Sequence, residues 1–155
     1  MLCLALGLLA SQTSHADTER DAVLSLMQRA FDAVGSGNPD HMRVIQLAQG
    51  TSLSFRPHPD GEPGKLLMRM NTNEALLAND TDAGRALMER WTGEPVVMIR
   101  GPIAVVWGEY EFWIDGEFSH CGVDAVNLAK VDGDWKIANW AWTVETDNCP
   151  TDPGN

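Results

Sequence analysis

The stretch that decides the fold runs from Ile103 to Cys149 and reads IAVVWGEYEFWIDGEFSHCGVDAVNLAKVDGDWKIANWAWTVETDNC. Its runs of valine, isoleucine and tryptophan are interrupted by Asp115-Gly116 and Asp132-Gly133, and both pairs are strong hairpin signals. Gly101-Pro102 marks an earlier turn. Together with the residues before that turn, the pattern predicts four consecutive antiparallel strands, at about 85–100, 103–114, 117–131 and 134–145.

The first half of the chain predicts helices and two shorter strands. Apolar residues recur at helical spacing behind Thr18, and Gly35 is a typical stop signal. Asn38-Pro39-Asp40 predicts the start of a second, short helix, whereas the alternating runs at 52–56 and 66–70 are typical of strands. Helices gathered before an antiparallel meander predict an α+β domain with the helices on one face of the sheet.

The acidic composition narrows the possible partners. The chain has 155 residues, enough for one domain, and its 22 acidic and 11 basic side chains give it a formal net charge of −11. A surface of that sign repels the phosphates of nucleic acids and anionic lipid headgroups. We therefore expect no nucleic acid among its partners.

The N-terminus predicts export. Met1–Ala10 is an apolar run too short to span a membrane, which takes about 20 residues, and Ser14-His15-Ala16 fits a signal-peptidase site. No lysine or arginine precedes the run, so either the true start lies further upstream or the signal is atypical. The alternative to export is a buried N-terminal helix. The predicted organisation of this periplasmic or secreted protein is a signal peptide at 1–16, a domain at 17–149 and a C-terminal tail at 150–155.

Cleavage at that site would remove Cys3 and leave two cysteines, Cys121 and Cys149. An isolated pair in an oxidising compartment predicts a disulfide, which would hold the polar C-terminal segment against the domain. The alternative is a pair of free thiols that never meet.

The hairpin registers determine which side chains face the helices. At the first hairpin a two-residue loop would bury two carboxylates, Glu109 and Glu111, at a cost in free energy. We therefore predict a three-residue loop with Gly116 as a bulge, which leaves both glutamates in water. This register forms two inward-facing pairs, Tyr110 with His120 and Phe112 with Phe118.

At the second hairpin, placing Leu128 opposite Ile137 extends the inner face towards Thr143. The inner face then combines apolar walls with a few polar groups, as ligand pockets do. The predicted ligand-binding residues are Tyr110, Phe112, His120, Asp124 and Asn139. A buried Asp124 needs a cation or several donors, and the candidate cations are Arg56, Arg69 and Arg90.

The same register predicts an apolar patch on the outer face of the sheet. Two tryptophans among small apolar residues are too large a patch to leave in water without a reason. We therefore expect a homodimer through this face, and the alternative is a cover formed by the tail that Cys149 holds. The predicted interface residues are Val123, Ala125, Trp140 and Trp142.

Several motifs together are similar to a known group of proteins. Ile103–Tyr110 looks like one of its long strands, Gly116–Asp124 like the following turn and strand, and Gly133–Ile137 matches a Gly-x-Trp-Lys-Ile pattern that opens its last strand. The chain thus resembles the SnoaL-like and lumazine-binding-like branches of the nuclear transport factor 2-like superfamily. The resemblance implies a cone, in which a strongly curved antiparallel sheet wraps around the N-terminal helices and leaves a pocket at its open end.

Three classes of function follow. The first is an exported domain that holds a small, mostly apolar molecule in the cone. The second is a cofactor-free isomerase, cyclase or dehydratase that uses His120 and Tyr110, and the third is a structural or assembly domain that acts through the outer sheet face. The sequence has no Gly-x-Ser-x-Gly elbow, glycine-rich phosphate loop, His-x-x-x-His or Cys-x-x-Cys, so we expect neither a cofactor nor a metal.

Overall fold

The structure is a computed structural model that describes residues 5–78, 84–147 and 149–150, with side chains from Ala16 onward. It contains three helices and seven strands in these residues. In chain order they are α1 Ala5–Ser36, α2 Pro39–Arg43, β1 Gln46–Pro57, β2 Leu66–Thr72, α3 Asn73–Ala78, β3 Leu87–Trp91, β4 Val96–Arg100, β5 Ile103–Ile114, β6 Glu117–Val131 and β7 Asp134–Thr143.

The helix ends follow from local capping chemistry. α1 passes through Thr18 without starting there and ends at Ser36, where Gly37 takes a left-handed φ of 62°. The predicted stop at Gly35 was therefore two residues early. The predicted start of α2 is confirmed, since the Asn38 side chain accepts the Asp40 N–H and Pro39 opens the helix.

The strands form one curved sheet in the order β2-β1-β7-β6-β5-β3, and β4 also pairs with β5. The α+β class is confirmed. One strand pair departs from the expected antiparallel pattern, because β1 and β7 are parallel. The strand expected at 85–100 is two strands, with β3 beside the second half of β5 and β4 beside its first half.

The hydrophobic core lies between α1 and one face of the sheet, which we call the inner face. α1 supplies a buried stripe at helical spacing, and alternate residues of β5, β6 and β7 face it. The buried residues of this core include Val23, Leu26, Met27, Ala30, Phe31, Val106, Val126, Leu128, Trp135 and Ile137. The opposite side of the sheet is the outer face.

A disulfide joins Cys121 in β6 to Cys149, as the sequence predicted. Cys149 is buried, and the chain leading to it forms a short bridge in which Glu145 pairs with Cys121. The C-terminal segment is therefore bound to the sheet by both covalent and backbone contacts. In the described part of the chain we find no helix with the length and apolar character that crossing a membrane requires.

Candidate functional site

A bulge after the first hairpin sets the register of the inner face. Asp115 and Gly116 form a two-residue turn with φ of 55° and 85°, so the predicted three-residue loop is wrong. The extra residue is Ser119, which interrupts the pairing between β5 and β6. As a result the paired residues are Tyr110 with Gly122, Phe112 with His120, and Trp113 with Phe118.

This combination of turn and bulge keeps Tyr110, Phe112 and His120 on the predicted face but moves the partners of Tyr110 and Phe112 by two positions. The prediction that Phe118 faces inward was wrong, because the bulge pairs it with Trp113 on the outer face. Glu109 is exposed as expected. Glu111 also points to the outer face, yet it is buried there beneath Arg90, which bonds to its carboxylate. The expectation that Glu111 would lie in water was wrong, because a cation on the neighbouring strand stabilises it.

A second bulge, in β7, reverses the faces of the last predicted residues. Leu128 pairs with Ile137 as expected, but Ala138 is then an extra residue, and Trp140 pairs with Val126. Trp140 and Trp142 therefore lie on the inner face, and the prediction that they belong to an outer patch was wrong. Asn139 lies on the outer face, where it accepts hydrogen bonds from the Thr51 N–H (3.1 Å) and hydroxyl (2.8 Å).

Glycine allows this second bulge to form. A Cβ on Gly50 in β1 would lie 1.8 Å from the Ala138 carbonyl oxygen and 2.5 Å from the Asn73 side chain. Asn73, in α3, donates hydrogen bonds to the carbonyls of Leu47 (2.9 Å) and Ala138 (3.4 Å). The Asn73 side-chain amide thus stabilises the bulged backbone, and Gly50 leaves the space that the bulge occupies.

Four of the five predicted ligand-binding residues share the inner face: Tyr110, Phe112, His120 and Asp124. The His120 ring stacks on Phe112 with centroids 4.9 Å apart and meets the edge of Tyr110 at 5.8 Å. The Tyr110 hydroxyl donates to the Thr143 carbonyl (2.7 Å), so it does not form the hydrogen bond to His120 that an acid–base pair would need.

Asp124 is the most deeply buried of these polar groups, with an exposed fraction of 0%. The Trp140 indole N–H donates to its Oδ1 at 2.8 Å, while its Oδ2 has no hydrogen-bonding donor among the described residues. Among the described residues, none of the three candidate arginines forms an ion pair with Asp124. Arg90 bonds to Glu111, Arg69 lies exposed on β2, and Arg56 lies near His120.

Glu89 of β3 is the neighbour that the sequence analysis missed. Its side chain lies close enough to Asp124 on the inner face for the charges of the two carboxyls to interact. Two neighbouring ionised carboxylates repel each other, so this arrangement favours the state in which at least one of them is protonated. Burial raises the pKa of Asp124 to about 7, and burial together with the Asp124 charge raises the pKa of Glu89 well above its usual range.

A sequence signal for Glu89 did exist. In the run Leu87-Met88-Glu89-Arg90-Trp91, alternation places Leu87, Glu89 and Trp91 on one face of a strand. An acid between two large apolar residues is unusual on a buried face. Recognising it required the correct ends of β3, which the predicted 85–100 strand did not provide.

Aromatic side chains surround this carboxyl pair. Phe31 of α1 meets Trp91 edge-on with centroids 4.8 Å apart and lies 6.1 Å from Trp140. A Cβ on Gly108 would lie 2.9 Å from the Trp91 ring, so glycine lets the indole lie against β5. The low-polarity wall explains why the carboxyls hold a proton near neutral pH.

An open cleft reaches this region from the edge of the sheet. It has a volume of about 520 Å³ and runs between α1 and β3. Its lining residues are Gln28, Phe31, Asp32, Gly35, Ser36, Leu87, Met88, Glu89 and Arg90. Glu89 and Phe31 thus belong both to the cleft and to the surroundings of Asp124, and the described residues contain no group of three or more potential metal ligands.

A second polar cluster lies further along the inner face. Burial, assisted by the nearby positive charge of Arg56, lowers the pKa of His120 to about 4, so the ring is neutral at pH 7. Its Nδ1 lies 3.0 Å from the Ser119 hydroxyl. Burial is also the main cause that raises the pKa of Tyr110, which remains a neutral phenol.

Comparisons with solved structures identify the fold. The chain superposes on a nuclear transport factor 2-like superfamily protein from Salmonella enterica serovar Typhimurium with a TM-score of 0.66 and 13% identity, over 88% of this chain and 98% of that one. A protein of unknown function from Mycobacterium tuberculosis gives a TM-score of 0.66 at 15% identity, over 92% of this chain and 80% of that one.

A third neighbour is the β subunit of a putative aromatic-ring-hydroxylating dioxygenase from Novosphingobium aromaticivorans, with a TM-score of 0.67 and 11% identity over 84% of this chain and 92% of that one. No family model and no curated protein matches the sequence. At these identities the comparisons establish the architecture: the protein has the nuclear transport factor 2-like cone fold. Its function has to be argued from its own residues.

Proposed function

We propose that the protein is a binding domain for a small, mostly apolar molecule, which it holds on the inner face of the curved sheet. The observation that carries the proposal is Asp124, a fully buried carboxyl group with one oxygen that no described donor satisfies. Unsatisfied buried polar groups are costly, and they concentrate at functional sites. Aromatic walls with a few convergent polar groups are typical of small-molecule pockets.

Acid–base catalysis is the second candidate, and the Glu89–Asp124 pair favours it. A carboxyl group whose pKa is raised to about 7 can both donate and accept a proton at neutral pH. This places the candidate chemistry on Glu89 and Asp124. The predicted pair of His120 and Tyr110 is less suited, because the tyrosine hydroxyl is already bonded to the backbone.

Native mass spectrometry of the full chain purified from an exporting host tests the binding proposal. We expect an additional bound small-molecule mass that is lost in Asp124→Ala and retained in Glu109→Gln, a control at an exposed carboxylate. Absence of any bound mass, together with no thermal stabilisation by a library of apolar compounds, would count against a pocket. Turnover of a compound that stabilises wild type, lost in Glu89→Gln, would favour the enzyme.

We further propose that the protein is a homodimer that associates through the outer face, as an assembly domain would. The register places one apolar residue from each of six strands in a continuous row across this face, formed by Val96, Trp107, Ala125, Ala141, Leu53 and Met70. Trp107 is 45% exposed and Met70 65% exposed. Val123 and Ala125 of the predicted interface belong to this face, whereas Trp140 and Trp142 do not.

We also propose that the protein is exported to the periplasm or the medium and that residues 1–16 are removed. The Cys121–Cys149 disulfide supports an oxidising compartment, because such bonds are rare in the cytosol. N-terminal sequencing of the protein recovered from an exporting host should begin at Asp17. A sequence that begins at Met1 would contradict the predicted cleavage.

A further inference from the structure

Arg56 differs from the arginines that form ion pairs in the described part of the chain. Arg20 and Arg90 form ion pairs with Glu94 and Glu111, and Arg43 and Arg85 are paired with carboxylates as well. Arg56 is partly buried in β1, and its buried Nε has no acceptor among the residues that the structure describes. In a chain with twice as many acids as bases, a guanidinium left without a carboxylate is unexpected.

The position of Arg56 in the sheet points it towards the candidate site. Ser54, two residues earlier in β1, is buried and pairs with Trp142, which lies on the inner face. Because strand residues two apart share a face, Arg56 also lies on the inner face. Its charge acts on His120 and Tyr110, the two residues whose rings meet there.

His120 can supply a second hydrogen-bond donor to the same place. When the Ser119 hydroxyl donates to Nδ1, the neutral imidazole carries its proton on Nε2. The charges of three acids, Glu89, Asp124 and Glu145, also reach Tyr110. Glu89 and Asp124 are the carboxyl pair described above, and Glu145 is exposed with its carboxylate accepting the Thr143 hydroxyl at 2.9 Å. Among the described residues, no carboxylate accepts a hydrogen bond from the Arg56 Nε.

We propose that Arg56 and His120 form a subsite for a carboxylate group of the ligand, whose apolar part lies against Phe112 and Tyr110. The Nε–H and one terminal N–H of a guanidinium are parallel, and this side of the group matches the two oxygens of a carboxylate. A single guanidinium beside a neutral histidine balances one negative charge, which favours a carboxylate over a doubly charged phosphate. This inference rests on the proposed binding function and narrows the ligand to apolar carboxylic acids.

The test compares 2-naphthoate with methyl 2-naphthoate, two probes that share an apolar body and differ in charge. Affinities are measured by NMR or calorimetric titration of the full chain from an exporting host. We expect wild type to bind the acid about 10-fold or more tightly than the ester, the range of a charge-assisted contact. Arg56→Gln should remove this preference and leave ester binding unchanged.

Two further variants separate the subsite from general electrostatics. Arg69→Gln removes the same charge from an exposed position on β2 and should leave both affinities unchanged. Arg56→Lys keeps the charge but loses the paired donors, so its acid affinity should fall between those of wild type and Arg56→Gln.

Each alternative result overturns a different statement. Equal affinity of wild type for acid and ester would overturn the carboxylate subsite and leave the apolar pocket intact. Equal losses in Arg56→Gln and Arg69→Gln would also overturn the subsite, since net charge alone would then explain the preference. Failure of both probes to bind wild type would count against the pocket itself and, with it, the subsite.

Discussion

Asp124 and Glu89 show how one pair of residues can set the pH response of the whole domain. Both carboxyls lie in a wall of tryptophan and phenylalanine, and one indole N–H is the described donor to Asp124. Their pKa values are raised because ionisation in this environment is costly. The folded state therefore holds protons that the unfolded chain releases, and the two residues titrate as a pair.

The Asp124→Asn variant should be more stable than wild type above neutral pH. The folded pKa of Asp124 is about 7 against an ordinary 3.8, so its favourable contribution is complete below about pH 4 and is lost as the pH rises through 7. The full shift corresponds to about 4 kcal/mol. An asparagine keeps an oxygen for Trp140 and offers an N–H to Glu89, so the free energy of unfolding of the variant should lack this decline.

Urea unfolding between pH 4 and pH 8 measures the effect as a difference between wild type and variant. His120 has the opposite sign, because its lowered pKa makes stability rise with pH between about 4 and 6.5. Subtracting the two curves removes that contribution. Parallel curves for wild type and Asp124→Asn would contradict the raised pKa of Asp124, and Glu109→Gln serves as the exposed control.

For individual residues, the sequence predicted which side chains face inward better than it predicted what those side chains contact. Alternation along β5 and β6 was enough to place Tyr110, Phe112, His120 and Asp124 on one face. It could not reveal the partners of Asp124, because Trp140 reaches it only through a bulge and Glu89 comes from a strand whose ends were mispredicted. Contacts between distant strands depend on register, which single residues do not encode.

The positions of the bulges are the feature of the strands that the sequence did not reveal. Each hairpin is closed by an Asp-Gly turn, and a bulge lies several residues away from it. The turn residues would be the same without the bulge, so they do not predict it. What decides the β7 register lies far along the chain, in Gly50 of β1 and Asn73 of α3. A one-residue insertion moves every following side chain to the other face, which is why Trp140 and Asn139 were exchanged.

Gly50→Ala should be strongly destabilising. Its new Cβ would lie 1.8 Å from the Ala138 carbonyl oxygen, so the backbone of β1 or β7 must move and the β7 bulge must change. Overpacking against backbone costs about 3 kcal/mol or more in the free energy of unfolding. Urea unfolding followed by tryptophan fluorescence measures this cost and reports the environment of Trp140.

The matched control is Gly93→Ala, where an added Cβ meets nothing within 4 Å. This variant should change the free energy of unfolding by less than about 0.5 kcal/mol. Similar losses in the two variants would show that Gly50 is not required for the bulge.

Reduction of the disulfide should loosen the C-terminal segment. Cys121 and Cys149 are 28 residues apart in sequence, and closing a loop of that length contributes about 3–4 kcal/mol in the chain-entropy model. A reducing agent should therefore lower the unfolding midpoint of wild type and have no effect on the Cys121→Ser/Cys149→Ser double variant. An unchanged wild-type midpoint would mean that the bond does not form in the purified protein.

For the molecule as a whole, the order of elements was enough to predict the architecture. Helices followed by a meander of long strands permit few arrangements, and short antiparallel connections restrict them further. The parallel pairing of β1 and β7 was not predicted, because it joins strands more than 80 residues apart and depends on how the sheet curves. The same architecture accommodates many sites, so we base the proposed function on the carboxyl pair and Arg56 rather than on the cone.

The outer face provides the prediction that concerns the assembled protein. An apolar row that crosses six strands and includes a half-exposed tryptophan is larger than the scattered apolar residues of an ordinary surface. Sedimentation velocity at tens of micromolar should therefore show a dimer for wild type and a monomer for Trp107→Glu, because a charge at the centre of the row would be buried without a partner. Val44→Glu adds the same charge at an exposed residue outside the strands and should remain dimeric. If wild type is monomeric at these concentrations, the row must have another role and the homodimer is excluded. If Trp107→Glu is dimeric while wild type is too, association uses a different face.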